Sequence, residues 1–156
     1  MSLLLLLVGA AAAALPACPD GDDDRLYSLA MTIRGHSVGG LAAVSLTADG
    51  FTLAALSPAG PELFTVRRAG TTTTVSSPLP EWTPWLERLP FERDLRLVSP
   101  TITGSCARAD GRIRVVDAGR RWRGHGGPAR ATQDAEGRWV LRDPWRGYTL
   151  TLKEAG

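Results

Sequence analysis

Few residues in this chain announce a chemistry. Its 156 residues include two cysteines and two histidines. Cys18, Cys106, His36 and His125 make no recognised zinc spacing. No Walker or dinucleotide-binding glycine pattern occurs. Neither a metal nor a cofactor is expected. The net charge of +2 is too small for the electrostatic footprint of a nucleic-acid binder. No apolar run reaches the roughly 20 residues needed to cross a bilayer. A doubly wound hydrolase or large barrel enzyme needs roughly 200–250 residues, so length disfavours both. What is left is one ordinary globular domain, with 44% hydrophobic and 22% charged residues, plus a targeting segment.

Leu3 to Leu15 is an unbroken run of apolar and small residues, the length of a signal-peptide h-region. Residues 1–17 are therefore expected to be a signal peptide, although only Met1 and Ser2 precede the leucines. Leu15-Pro16-Ala17-Cys18 resembles the lipobox of bacterial lipoproteins. That resemblance implies that Cys18 is acylated and becomes the new N-terminus. A Cys18–Cys106 disulfide in an oxidising compartment is the competing expectation. Residues 18–25 then form the lipidated cysteine and a solvated acidic tether containing Asp20, Asp22, Asp23 and Asp24. Consecutive aspartates lack the alternating ligands and Gly turn of a calcium loop. The expected location is an exported lipoprotein held in a membrane, with a lean to the outer membrane facing the periplasm.

The remainder, residues 26–156, reads as a single β-rich domain. Gly 17 and Pro 11 favour turns over a helical bundle. Tyr27, Leu29, Met31 and Ile33 alternate with Ser28, Ala30, Thr32 and Arg34, the period of a strand with one apolar face. A Gly-rich turn, a weaker strand from Leu41 to Thr47 and an Asp49-Gly50 hairpin turn follow. Further strands are expected at 51–57, 62–68, 71–75, 112–116, 138–142 and 148–153. Between them, residues 77–90 carry four prolines with Trp82 and Trp85. This stretch is expected to be an apolar lid with a short helix, Trp85 to Leu89, and Pro84 in its first turn. Short strands between regular turn signals predict an antiparallel sheet or barrel.

One motif argues for catalysis. Gly35-His36-Ser37-Val38-Gly39 matches the G-x-S-x-G nucleophile elbow after a predicted strand. His125, with Asp110 or Asp117, would complete a triad in the order of an esterase. The elbow requires a following helix, whereas Leu41 to Thr47 runs into a hairpin turn. The expectation is therefore not an enzyme, with a small serine esterase using Ser37 as an alternative. Arg120-Arg121-Trp122-Arg123 mixes cations with an aromatic, as nucleic-acid binders do, but reads as a solvated strand face.

Leu56 to Val66 (Leu-Ser-Pro-Ala-Gly-Pro-Glu-Leu-Phe-Thr-Val) resembles a strand–turn–strand segment of a family of small bacterial lipoproteins. Those proteins are encoded beside aryl-polyene pigment genes. Leu89-Pro90-Phe91 and the closing Asp143 to Leu152 segment resemble the same family. The family in turn is similar to the lipoprotein carriers LolA and LolB. The resemblance implies an incomplete antiparallel β-barrel (a half-barrel) with a Trp/Pro-rich lid, holding acyl chains. The expected function is non-enzymatic binding of a hydrophobic ligand, a lipid or acyl chain. The residues expected to line its site are Leu29, Met31, Ile33, Phe51, Leu53, Phe64, Trp82 and Trp85. The same side chains would otherwise be plain core. A scaffold lipoprotein that binds an envelope protein partner through a sheet edge is the other alternative.

Overall fold

The computed structural model describes residues 23–47, 49–98, 113–116, 119–123 and 126–156. Residues 18–22 of the expected tether, Cys106, Asp110, Asp117 and His125 lie outside the described residues. Asp23, Asp24 and Arg25, expected in the solvated tether, are instead the first residues of a strand, held by backbone pairing with Leu46, Ser45 and Val44.

Ten strands form one sheet: β1 (Asp23–Ile33), β2 (His36–Thr47), β3 (Gly50–Leu56), β4 (Glu62–Ala69), β5 (Thr72–Ser76), β6 (Ile113–Val116), β7 (Gly119–Trp122), β8 (Ala129–Gln133), β9 (Trp139–Asp143) and β10 (Tyr148–Glu154). Their order is β5-β4-β3-β2-β1-β10-β9-β8-β7-β6, and every neighbouring pair is antiparallel. The chain thus starts in the middle, meanders to one edge, crosses to the other and meanders back. No pairing joins β5 to β6 among the described residues, so the barrel is incomplete. A mainly β, open antiparallel sheet is what the alternation in the sequence predicted.

Two short helices occupy the described part of the crossing. After a 3₁₀ turn at Pro80–Trp82 come α1 (Thr83–Leu86) and α2 (Phe91–Val98). Pro84 does lie in the first turn of α1, where its missing N–H costs nothing. The helix ends at Leu86, however, and does not run on to Leu89.

The Gly-rich stretch after β1 is mostly strand, not turn. Arg34 (φ 47°) and Gly35 (φ 84°) alone make the reversal, both with positive φ, the requirement of a tight hairpin turn. Ile33 then faces His36, and pairing continues without a break to Asp23 opposite Leu46. Gly40 is needed for clearance, since a Cβ there would strike the carbonyl oxygen of Leu56 on β3.

Candidate functional site

The period-two pattern of β1 sends Leu29, Met31 and Ile33 to one face of the sheet. β3 contributes Phe51 and Leu53, and β4 contributes Phe64. All six are at most 6% exposed and belong to one core cluster. The residues expected to line a ligand site are therefore brought together. The side of the cluster facing away from the strands is covered by the chain's own α2.

Helix α2 explains how the cover holds. Phe91, Leu95 and Val98 recur at helical spacing and are all buried. The Phe91 ring stacks on Phe64 at 6.2 Å and meets Tyr148 edge-on at 6.4 Å. Trp82 and Trp85 sit at the border of the cluster, half-buried, with their rings 5.4 Å apart.

The same helix carries a buried ionic latch. Arg93 is 3% exposed, Asp94 0% and Asp143 1%. Arg93 Nε donates to Asp94 Oδ1 at 2.8 Å and Arg93 Nη2 to Asp143 Oδ2 at 3.0 Å. Arg93 Nη1 donates to the carbonyl oxygens of Gly126 and Gly127 at 3.0 and 3.2 Å. Arg146 Nη1 reaches the same Asp143 Oδ2 at 2.7 Å. One guanidinium thus ties α2 to β9 and to the loop before β8. Buried charges persist where partners of this kind satisfy them.

Titration in the latch follows from these contacts. Burial pushes the Asp94 carboxyl up to about 6, against the opposing pull of Arg93. Burial also works to raise Asp143, but hydrogen bonds from Arg146 and Arg93 outweigh it and hold that carboxyl below its usual range. The Tyr148 hydroxyl is pushed far up by burial and by the neighbouring Asp94. Asp94 Oδ2 and the Tyr148 hydroxyl are close enough to perturb one another, yet neither completes a hydrogen bond of good geometry.

Beside the latch opens a cleft of about 790 Å³. Phe51, Leu89, Phe91 and Trp122 line its apolar part, and Arg68, Arg88, Arg93, Arg96 and Arg146 its cationic part. Glu92 accepts from both Arg68 (2.7 Å) and Arg96 (3.1 Å). Arg88 has no ion-pair partner among the described residues. Phe51 and Phe91 belong both to this cleft and to the core, so the cleft adjoins the cluster beneath α2.

Ser37 lies elsewhere, on the exposed side of the β1–β2 hairpin. Its hydroxyl is 3.3 Å from that of Thr32. The segment after it is strand β2, so the strand–turn–helix of a nucleophile elbow is not what this stretch forms. Among the described residues no group of three metal-ligating side chains is found, and no helix is long and apolar enough to cross a membrane.

The fold and site define a class: an open antiparallel half-barrel whose apolar inner face is covered by a latched helical segment. The particular family follows from comparison. The chain belongs to DUF3261, described as a protein of unknown function, which matches residues 27–156. No curated protein matches the chain.

Proposed function

We propose that this chain is an exported, lipid-anchored envelope protein that binds a hydrophobic ligand, a lipid or acyl chain, without catalysis. The anchor would be Cys18, behind a signal peptide of residues 1–17. The ligand would lie against Leu29, Met31, Ile33, Phe51, Leu53 and Phe64, with α2 displaced. The observation that carries this proposal is the nature of the cover. Among the described residues the inner face is covered by an eight-residue helix, not by a second sheet, and the buried anchor of that helix is one arginine, with Glu92–Arg68 and Arg120–Leu97 contacts at its rim. Trp82 and Trp85 at the border and the adjoining cleft give an acyl chain a path inward. Each CH₂ removed from water contributes about 0.8 kcal/mol, so a chain that replaces the contacts of α2 can bind usefully.

Native mass spectrometry of the full chain carrying Cys18→Ser, exported to a bacterial periplasm and purified without detergent, tests the proposal. An added mass that fragments as a fatty acid or phospholipid is the expected result. A clean apo mass, unchanged after incubation with lipids, overturns it.

A scaffold role has one supporting observation. The edge strand β5 exposes nearly all of its side chains and leaves one backbone edge unpaired among the described residues. Pull-down of the same envelope protein by the wild type, lost when Thr73 or Thr74 becomes proline, would favour that role.

A further inference from the structure

The outward face of the sheet carries a row of directly opposed arginines. Arg142 on β9 pairs with Arg130 on β8, Arg130 with Arg121 on β7, and Arg121 with the register position of Arg114 on β6. Arg121, Arg130 and Arg142 are all exposed. Neighbouring strands lie about 4.8 Å apart, and like charges directly opposite one another destabilise a sheet. The row is not relieved locally. None of the three makes an ion pair among the described residues. No carboxylate holds an outward position on β7, β8, β9 or β10 among those residues: Asp143 points inward and is buried, and Glu154, at the far end of β10 on the inward register opposite Tyr27, is held by Arg25. Among the described residues, the nearest exposed acids along the chain, Asp134 and Glu136, are both engaged by Arg138, at 2.7 and 3.3 Å.

The row continues into hydroxyls. Arg142 faces Thr149 on β10, which faces Thr32 on β1. Just beyond it the β1–β2 and β9–β10 turns are joined, with the Arg34 backbone N–H donating to the Gly147 carbonyl at 3.1 Å. That tip presents Trp145, 85% exposed, and the exposed Arg34.

The chain's own acidic run cannot neutralise this row. Asp24 lies eight residues before Thr32 on the same strand, or about 26 Å at 3.3 Å per residue. Residues 19–22 extend at most about 14 Å. The outward positions of β7 to β9 hold no aromatic side chain for bases to stack on, which disfavours single-stranded nucleic acid. A tryptophan beside a cationic face suits a lipid–water interface, where the indole sits at headgroup level and guanidinium groups meet phosphate.

We propose that the outward face of β7–β9 docks on an anionic membrane, with Arg121, Arg130 and Arg142 on lipid phosphates and Trp145 in the interface beside them. This site is separate from the interior under α2 and does not depend on what that interior binds.

The test uses the full chain with Cys18→Ser, so that no acyl anchor contributes. Its binding to phosphatidylcholine vesicles is compared with and without phosphatidylglycerol, at low and high salt. Phosphatidylglycerol should strengthen binding, salt should reverse the gain, and Arg121→Gln/Arg130→Gln/Arg142→Gln together should remove about 100-fold of it, near five-fold per arginine. Trp145→Ser should abolish a vesicle-induced blue shift of tryptophan emission. Arg130→Gln alone should hold or raise the melting temperature, because it relieves two like-charge contacts. The proposal is overturned by binding indifferent to phosphatidylglycerol, by a preference that survives the triple substitution, or by a lower melting temperature for Arg130→Gln. Tighter, arginine-dependent binding to duplex DNA than to anionic vesicles would overturn it as well.

Discussion

Arg93 on α2 and Asp143 on β9, 50 residues apart in sequence, form a buried ion pair 3.0 Å long that fixes the helix over the inner face of the sheet. Truncating the arginine strands two buried aspartates, only one of which keeps another cation, Arg146. Breaking a buried pair on one side costs about 3–5 kcal/mol. Arg93→Leu should therefore lower the free energy of unfolding in urea by that amount, and hydrogen exchange over residues 91–98 should speed up more than exchange in β1.

Asp94 gives the latch a pH dependence. Its carboxyl titrates at about 6 in the fold and at 3.8 unfolded, so the folded state holds its proton more tightly. Stability from this group is present below pH 4 and is lost as pH rises to about 6, a change on the order of 3 kcal/mol. Asp143 acts in the opposite sense, because its folded value is depressed and its contribution is lost as pH falls. Urea titrations between pH 4 and pH 7 should show a declining component that Asp94→Asn abolishes and Asp143→Asn does not.

Gly126 lies at φ +93°, where its carbonyl meets Arg93 and where an added Cβ would come within 3.2 Å of the Pro90 Cβ. Gly126→Ala should destabilise by about 1–2 kcal/mol from backbone strain. Thermal melts of the Gly126→Ala and Gly137→Ala chains separate strain from crowding, because Gly137 (φ +78°) has nothing near its missing Cβ.

Most of the sheet was legible in the sequence, and the cover was not. Strands announce themselves through alternation, and the Leu29-Met31-Ile33 face is clean. The sequence pattern points to a strand over Leu41–Thr47 alone, because Gly39 and Gly40 look like a turn. In the fold both glycines are strand residues, and Gly40 lets the β3 backbone approach. Helix α2 is hidden in the sequence because it is only eight residues long and buries an arginine and an aspartate among its apolar positions. Hydropathy cannot rank a charged pair as core. The spacing of Phe91, Leu95 and Val98 was the available signal. In sequence the Asp143-Pro144-Trp145-Arg146 segment carries only a family likeness, although its aspartate completes the latch. The arginine row was half visible as Arg120 to Arg123. Only register shows that Arg121 faces Arg130 while Arg120 turns inward to the Leu97 carbonyl at 2.8 Å.

Phe91 fills the space that an acyl chain would enter. Phe91→Ala should cost about 3–5 kcal/mol as a large-to-small core change. It should also tighten binding of a fluorescent fatty acid, since the chain's own competitor for the site is smaller. Displacement titrations at matched folded fraction would read this.

Ser37 should behave as a surface hydroxyl. A fluorophosphonate probe should leave it unlabelled, and Ser37→Ala should change stability by less than about 0.5 kcal/mol. Labelling at Ser37 that competes with an ester substrate would bring back the esterase alternative.

The central claim is that the inner face beneath α2 receives a hydrophobic chain. Photocrosslinking of a diazirine-bearing fatty acid to the full chain with Cys18→Ser, mapped by peptide mass spectrometry, tests it most directly. The expected adducts fall on Met31, Phe51, Leu53, Phe64 or Phe91 and increase in Arg93→Leu, where the latch is broken. Adducts confined to exposed positions such as Trp145, or none in either chain, would contradict it.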